Sequence, residues 1–236
     1  MLGYKVAKSL DKRVVITLEI PEDAITNMKR SNIVKAETAS YRTNKALVIK
    51  IEDSDGKTYD EAENCFYGKR ILYSLGKQSK CHDYDMNLDI EDSRGIHFFL
   101  SKHVAELYQL DEKNLQNGVL EGWYKNGAKE YNFPVVNGVR HGLQERWYED
   151  GYKEQVMRID GKRQGPFYMW YPSGNKCNET NYVDDEEQGL KYGWHENGKK
   201  HYERLMRTDD IHGSYYYSWD KNGKKIGIHD TYCVIT

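Results

Sequence analysis

The feature that most constrains this chain is a regular spacing of tryptophan. All five tryptophans lie in the second half of the 236 residues, 24, 23, 24 and 25 positions apart, at Trp123, Trp147, Trp170, Trp194 and Trp219. A glycine follows each of them at an offset of four, at Gly127, Gly151, Gly174, Gly198 and Gly223. A lysine follows at an offset of six, at Lys129, Lys153, Lys176, Lys200 and Lys225. Self-similarity at a fixed period indicates a repeat architecture.

The residues between each tryptophan and its lysine predict a β-hairpin, for which two loop lengths compete. Asn-Gly or Asp-Gly suits a two-residue loop, whereas a three-residue loop uses a type I turn followed by a left-handed glycine. Pro172 stands at the first position of such a type I turn, where its φ is already suitable. The three-residue loop is therefore favoured, and it places each tryptophan across from its lysine. The lysine stem then covers the indole while the ammonium reaches water; the competing interpretation is that lysine only solvates the turn.

The loop length also predicts which side chains share a face, because a one-residue slip moves every side chain of a strand to the other face. With the three-residue loop, the tryptophan face includes Tyr131, Phe133, Val135, Met157, Ile159 and Tyr182. Its candidate interaction residues are Tyr168, Tyr192, Tyr215 and Tyr217. The opposite face carries small or mixed residues at Gly122, Arg146, Met169, Gly193 and Ser218. The prediction is a single-layer antiparallel β-meander.

Residues 1–112 contain no tryptophan and no such period, and they predict a small α+β domain. Alternating or apolar stretches predict strands at Tyr4–Lys8, Val14–Ile20, Lys35–Ile51 (with a bend), Arg70–Leu75 and Gly95–Leu100. One short helix is predicted to start at Pro21-Glu22-Asp23-Ala24, and another to run from the capping residue Ser101 to about Tyr108. Residues 113–236 then hold the five repeats, at 118–141, 142–164, 165–188, 189–212 and 213–236. The fold class predicted for the whole chain is mostly β.

Charge and hydropathy exclude several partners. The 35 basic and 37 acidic residues give a net charge of −2, without the basic block that nucleic-acid binding requires. A membrane-surface role would need a basic rim, but residues 113–236 hold 18 basic and 18 acidic residues. No stretch approaches the roughly 20 apolar residues of a membrane helix, and residues 1–10 lack a signal-peptide layout. We therefore expect a soluble intracellular protein with no transmembrane segment, in a host cytoplasm or virion if it is viral.

The cysteines favour a reducing compartment and predict no metal site. Cys65, Cys81, Cys177 and Cys233 are widely spaced and form no Cys-x-x-Cys pair. The neighbours Cys81 and His82 are the one candidate metal pair, and no second pair lies near them. We expect neither a bound metal nor a cofactor.

The repeated seven-residue segments that begin at each tryptophan resemble the MORN repeat, in the short variant found in bacterial and giant-virus proteins. They include Trp-Tyr-Lys-Asn-Gly-Ala-Lys at Trp123 and Trp-His-Glu-Asn-Gly-Lys-Lys at Trp194. Asp220 departs from the pattern, since Tyr or His follows the other tryptophans, and the last unit looks like a cap. MORN arrays serve as scaffolds, dimerisation surfaces or membrane-associated modules, so the resemblance implies a binding role without choosing the partner.

Four short sequence segments in the first half resemble those of a family of unassigned function in large DNA viruses and phages. They are the seven residues from Leu18 to Ala24, Tyr41-Arg42, the five residues from Leu72 to Gly76, and Gly95-Ile96-His97-Phe98-Phe99, the most specific. Members of that family often join this domain to repeats. The resemblance implies an amoebal giant virus as the source, and it carries no catalytic residues to transfer.

The leading functional hypothesis is a non-enzymatic scaffold, a component of a virion or virus factory, that binds protein or a second copy of itself through the aromatic sheet. No small-molecule substrate is expected. One enzymatic alternative exists, because Gly95-Ile96-His97-Phe98 with Ser101 is similar to a strand and helix of ADP-ribosyltransferases. His97 replaces the tyrosine of that motif, Arg42 is the upstream arginine, and the competing interpretation is a hydrogen-bonded histidine in a buried strand. A further alternative is a toxin-neutralising binder, a label that some bacterial relatives of the repeat carry.

Overall fold

A computed structural model describes residues 1–64, 71–108, 110, 115–206 and 214–231. The protein is mostly β, and its strands pair antiparallel in two sheets. The chain divides into two compact units. Unit 1 comprises Met1–Leu110 with Gly122–Lys129, and unit 2 comprises Asp111–Glu121 with Glu130–Thr236.

Unit 1 is built on an eight-stranded sheet in the order β3-β8-β1-β2-β4-β7, in which β5 pairs with β1 and β6. The strands are β1 (Leu2–Ser9), β2 (Lys12–Glu19), β3 (Ser40–Thr43), β4 (Lys45–Glu52), β5 (Glu61–Asn64), β6 (Leu72–Ser74), β7 (Gln78–Lys80) and β8 (Ile96–Phe99). Its core side chains, among them Ile16, Leu18 and Phe98, are fully buried. Burial of this apolar surface is the main force that stabilises the unit.

The helix predicted after Ser101 is confirmed as α1 (Lys102–Leu107). The Ser101 side chain accepts a hydrogen bond from the backbone N–H of Val104, and Val104 and Leu107 are buried. Within the described ranges α1 is the one helix, so the predicted α+β character of residues 1–112 is not confirmed. This helix is six residues long, and no described helix has the length and apolarity to span a bilayer.

The helix predicted at Pro21 is wrong, because nearby groups capture the backbone donors that would build it. The Ile25 N–H bonds to the Asn44 side-chain oxygen at 2.9 Å. The Asn27 N–H bonds to the Arg42 carbonyl oxygen at 3.2 Å, so the segment follows β3 instead of coiling. The long strand predicted over residues 35–51 divides at Asn44 into β3 and β4, and a turn occupies residues 35–39.

The second sheet has eleven strands whose order follows the chain, with β9 and β11 both paired to β10. We call strands β9 to β19 the hairpin array. They are β9 (Asn117–Trp123), β10 (Lys129–Val136), β11 (Val139–Arg140), β12 (Gly142–Trp147), β13 (Lys153–Ile159), β14 (Lys162–Trp170), β15 (Lys176–Val183), β16 (Glu186–Trp194), β17 (Lys200–Met206), β18 (Ser214–Trp219) and β19 (Lys225–Thr231).

The predicted three-residue hairpin loops are confirmed. In the second hairpin Trp147 pairs with Lys153, the Tyr148 N–H bonds to the Tyr152 carbonyl oxygen, and residues 149–151 make the loop. Gly151 has a φ of +88°, the left-handed conformation that favours glycine. The same tryptophan–lysine pairing occurs in the third, fourth and fifth hairpins.

A second class of turn, which the sequence interpretation missed, joins successive hairpins. Both central residues have positive φ at Asn137-Gly138, Asp160-Gly161 and Asp184-Asp185, as a two-residue type I′ turn requires. The Asn-Gly and Asp-Gly pairs were visible in the sequence and could have identified the first two. Long and short turns therefore alternate from β9 to β17, over the turns that the structure describes.

The face predicted for several aromatic residues is wrong, because a β-bulge follows the lysine. In the third hairpin the register shifts between Met169 and Trp170, so that Tyr182 pairs with Gly165 and packs edge-on against Phe167. Tyr182 thus lies on the face opposite Trp170, because one inserted residue reverses the alternation beyond it.

The same correction applies to the first hairpin. Tyr131 pairs with Arg146, which alternates with Trp147, so Tyr131 lies opposite the tryptophan face. Phe133 and Val135, which alternate with it, lie on that opposite face too, and both are buried. In the second hairpin the register is continuous, and Met157 pairs with Leu143 on the Trp147 face, as predicted. Ile159, two positions along the same strand, follows Met157 there.

Candidate functional site

The tryptophans and lysines of unit 2 form a continuous row on one side of the array. We call this surface the Trp–Lys face; it consists of Trp147, Lys153, Trp170, Lys176, Trp194, Lys200, Trp219 and Lys225. Lys153 Nζ lies 5.0 Å from the Trp147 ring centroid and 5.9 Å from that of Trp170. Lysines thus connect one hairpin to the next through cation–π contacts.

The predicted stacking of each lysine on its own indole holds in some hairpins and shifts in others. Within unit 1, Lys129 Nζ lies 4.5 Å from the Trp123 ring centroid. In the third hairpin Lys176 Nζ instead lies 4.9 Å from the ring of Tyr168 and 5.3 Å from that of Trp194. The bulge at the lysine accounts for this displacement, since it turns the lysine toward the tyrosine.

Three of the tyrosines predicted for the interaction face lie beside their tryptophans. The ring centroids are 5.7 Å apart for Tyr168 and Trp170, 5.9 Å for Tyr192 and Trp194, and 6.3 Å for Tyr217 and Trp219. The fourth, Tyr215, has its side chain outside the described residues. The face is therefore a band of half-buried aromatic rings.

Glutamates form ion pairs with Lys153, Lys176 and Lys200 of this face. The Nζ-to-carboxylate distances are 3.0 Å for Lys153 and Glu145, and 2.7 Å for Lys176 and Glu179. Lys200 and Glu203 repeat the arrangement at 2.7 Å. Burial raises the pKa of Glu145, but hydrogen bonds from Gln155 and Lys153 outweigh it, and the pKa lies below its usual value. The face therefore carries charged groups of both signs but little net charge.

Side chains at the hairpin ends connect consecutive hairpins. The Tyr171 hydroxyl donates to the Trp194 carbonyl oxygen at 2.7 Å, and one hairpin later His195 Nε2 donates to the Trp219 carbonyl oxygen at 2.9 Å. Asp220 holds the next equivalent position, where its carboxylate accepts hydrogen bonds from the backbone of its own turn. A carboxylate has no proton to donate, so this series of bonds ends there.

The N-terminal motif Gly95 to Phe99 lies in unit 1, mostly on strand β8. Ile96 and Phe98 point into the core, whereas His97 pairs with Arg42 across the sheet and its Nε2 donates to the Ser93 carbonyl oxygen at 2.8 Å. Burial lowers the pKa of His97, which keeps the imidazole neutral at pH 7. His97 is thus a hydrogen-bonded histidine in a mostly buried strand.

Arg42 is fully buried, and its guanidinium is engaged by the backbone. Its Nε donates to Ile90 O at 3.0 Å, and its Nη1 donates to Asp85 O at 2.6 Å and to Arg94 O at 3.2 Å. Its Nη2 donates to the Asn87 carbonyl oxygen. These bonds shape the loop over residues 85–94, and Arg42 is not among the described residues that line the nearby cavity. The geometry therefore offers no support for Arg42 as a ribose-binding arginine.

A cavity of about 850 Å³ opens in unit 1 beside this loop. Its described lining includes Gly95, His97 and Phe99 of the motif, together with Tyr73 and Cys81. Sequence interpretation did not identify this site, because its residues come from separate strands and loops without any common spacing. Among the described residues, no cluster of three or more His, Cys, Asp or Glu is arranged to hold a metal ion.

These features define a class of protein in which an antiparallel hairpin array accompanies a second antiparallel sheet with a cavity. Residues 1–105 match the model of a family described as Family of unknown function (DUF5758). The match ends before the hairpin array begins. No curated protein matches the chain.

Proposed function

We propose that this protein is a non-enzymatic interaction scaffold with five MORN-type hairpins, and that it binds a protein partner through the Trp–Lys face, which the last four hairpins form. The observation that carries the proposal is the unbroken row of half-buried indoles and tyrosines on one side of the array. Aromatic residues of this kind supply much of the binding energy at protein interfaces.

The electrostatics of the face favour protein over nucleic acid or anionic lipid. Three of the four lysines of the face, Lys153, Lys176 and Lys200, each have a glutamate within 3.0 Å, so the row presents no continuous stripe of uncompensated positive charge. Polyanions need such a stripe for steering and affinity. A mixed surface of rings, paired charges and hydroxyls is typical of a protein interface.

An apolar patch extends the face at the second hairpin. Leu143 is 43% exposed and Met157 is 38% exposed, and they are direct cross-strand partners. Exposed apolar residues that adjoin an aromatic row mark a surface suited to contact with protein. The bonds from Tyr171 and His195 hold successive hairpins in place, which lowers the entropy lost on binding.

The MORN assignment rests on the constant tryptophan, glycine and lysine offsets and on the repeated cross-strand pairing. A role in a giant-virus virion or virus factory follows from resemblance alone and remains a prediction. A second copy of the chain and a toxin are the other partners that fit the proposal.

Two matched lysine variants test the face. Lys176 lies on the Trp–Lys face in an ion pair with Glu179, and Lys191 lies on the opposite face in an ion pair with Glu187. Affinity capture from the native source, quantified by mass spectrometry, should recover a partner with wild type and with Lys191→Glu but not with Lys176→Glu. Light scattering of the same samples reports self-association. Equal capture by all three proteins, or equal loss in both variants, would contradict the proposal.

A further inference from the structure

We infer that the Trp–Lys face binds a proline-rich segment of a protein partner in the polyproline II conformation, with one proline against each successive indole. Such a ligand rests on the proposed function, since it is a class of protein segment bound at the same face. Three features of the face point to it: the spacing of the indoles, their N–H groups and the low net charge between them.

The indoles recur two strands apart. They lie at the ends of β12, β14, β16 and β18, and one lysine-bearing strand separates each of these from the next. Neighbouring strands of a sheet lie about 4.8 Å apart, so successive indoles are separated by about 9.6 Å across the strands. Lys153 Nζ fits this spacing, because it lies 5.0 Å from the ring centroid of Trp147 and 5.9 Å from that of Trp170.

The contacts between hairpins show that the period is constant. In the third and fourth hairpins the lysine ammonium contacts the tyrosine of its own hairpin and the tryptophan of the next. The two distances to the ring centroids are 4.9 and 5.3 Å for Lys176, and 4.9 and 5.2 Å for Lys200. A ligand with a matching repeat can therefore make the same contact at each hairpin.

A polyproline II helix has that repeat. It has three residues per turn and rises about 3.1 Å per residue, so every third side chain returns to one side after about 9.3 Å. A β-strand repeats a side after about 6.8 Å, and an α-helix repeats a side closely only after seven residues, at about 10.5 Å. Across four indoles the polyproline II helix departs from the row by about 1 Å, and the α-helix by about 3 Å.

The indole N–H groups provide a second reason. The indoles of Trp170, Trp194 and Trp219 make no hydrogen bond to any residue that the structure describes. The backbone carbonyl oxygens of a polyproline II helix have no partner within the helix. An indole that packs against a proline ring can therefore donate its N–H to a carbonyl oxygen of the same segment.

The charges of the face favour an uncharged segment. Lys153, Lys176 and Lys200 form ion pairs with glutamates at 3.0, 2.7 and 2.7 Å, so the ligand does not need to supply many charges. Proline-rich segments bind aromatic surfaces through ring contacts and a few hydrogen bonds. Their restricted backbone also loses little conformational entropy on binding.

Peptide titrations of the full chain by calorimetry test the spacing. A peptide of four Pro-Ala-Gln units should bind, and a peptide of the same composition with prolines alternately two and four residues apart should bind about tenfold more weakly. An amphipathic helical peptide with leucine at every seventh position should also bind more weakly. Equal affinity of the two proline peptides, or tighter binding of the helical peptide, overturns the inference.

Peptide length gives a sharper test. The dissociation constant should fall roughly fivefold for each Pro-Ala-Gln unit added from two to four, and then stay constant, because the face has four indoles. No gain between two and four units overturns the inference. An undiminished gain with the fifth and sixth units does so too, since those units have no indole to contact.

Two matched variants test the role of the indole. Trp194→Phe keeps a ring but removes the N–H, and it should weaken binding of the four-unit peptide roughly fivefold. Tyr202→Phe is the control, because Tyr202 pairs with Gly193 and lies on the opposite face. Thermal unfolding confirms that both variants are folded. An equal loss of affinity in the two variants, or none in Trp194→Phe, overturns the inference.

The lysine variants separate this inference from the proposed function. Capture of a partner that Lys176→Glu abolishes, together with no binding of any proline peptide at millimolar concentration, supports protein binding at the face and overturns only the polyproline II ligand.

Discussion

Unit 1 and unit 2 are both antiparallel sheets, yet they bury their chains in different ways. Unit 1 has a compact core in which Ile16, Leu18 and Phe98 are fully buried and a buried arginine organises a loop. In unit 2 the tryptophans are only half-buried, and equivalent cross-strand contacts recur from hairpin to hairpin. Unit 1 depends on contacts that occur once, whereas unit 2 spreads its stability over many similar ones.

The largest difference in lost stability is expected between replacing a buried arginine of unit 1 and replacing an exposed arginine of unit 2. Arg42→Met should destabilise unit 1 by about 3–5 kcal/mol, because it removes the hydrogen bonds that a fully buried guanidinium donates to the carbonyl oxygens of one loop. Arg204→Met, at an exposed position of β17, should change stability by no more than about 0.5 kcal/mol. Hydrogen exchange of β8 and β16 amides measures the two effects separately. Similar losses in both variants would remove the distinction between the units.

Two turn glycines with similar backbone conformations provide the next comparison. Gly127 has a φ of +89° and Gly198 of +82°, so alanine strains both turns alike. A Cβ at Gly127 would lie 2.0 Å from the Lys35 carbonyl oxygen, whereas nothing lies within 4 Å at Gly198. We expect losses of roughly 2–4 kcal/mol for Gly127→Ala and about 1 kcal/mol for Gly198→Ala.

Denaturant unfolding followed by tryptophan fluorescence measures both glycine variants. The contacts that make Gly127 special all lie within unit 1: Asn126 O accepts from the Val34 N–H at 2.8 Å, and Gly127 O accepts from the Thr38 hydroxyl at 2.5 Å. If the two variants lose equal stability, these contacts are not formed in solution.

Removing a hydrogen bond between hairpins should lower stability less than the substitutions at Arg42 and Gly127. Tyr171→Phe removes the bond to the Trp194 carbonyl oxygen and should cost about 1 kcal/mol. Tyr152→Phe is the control, since its ring lies 5.5 Å from that of Tyr171 and its hydroxyl makes no such bond among the described residues. Thermal unfolding of the two variants should differ by a few degrees, with Tyr152→Phe close to wild type. The reverse order would contradict the proposed series of bonds.

The smallest effect is expected for the ion pairs of the Trp–Lys face. A double-mutant cycle with Lys200→Met and Glu203→Gln should give a coupling energy below about 1 kcal/mol that decreases with added salt. A larger, salt-independent coupling would show that the pair is more buried than the structure has it. The face would then depend on its charges more than on its rings.

Local chemistry explains which parts of the array were predictable. Pro172 and the turn glycines specify the three-residue loop, so the pairing of Trp147 with Lys153 followed from residues close in sequence. The side of the sheet taken by Tyr182 did not follow, because a bulge at the lysine reverses the alternation. A bulge is set by how neighbouring strands pair, and no residue type in the hairpin marks it.

In unit 1, even less of the structure could be predicted from short sequence patterns. The Ser101 cap and the buried strand of Ile96 and Phe98 were predictable, because caps and apolar runs are local patterns. The helix expected at Pro21 failed because Asn44 and the Arg42 carbonyl bind its backbone donors from a strand some 20 residues away. Neither interaction can be recognised in the few residues on either side of Pro21.

The amino-acid sequence by itself determined the period, the three-residue turns and the pairing of indole with lysine, because each depends on the conformational preferences of a few adjacent residues. Only the tertiary structure decided where Tyr182 points, why Gly127 differs from Gly198, and that Tyr73, Lys5 and His97 share a cavity. Those outcomes depend on distances between segments far apart in the chain. Such distances are settled by packing and by competition for hydrogen bonds, and no spacing of residues along the chain encodes them.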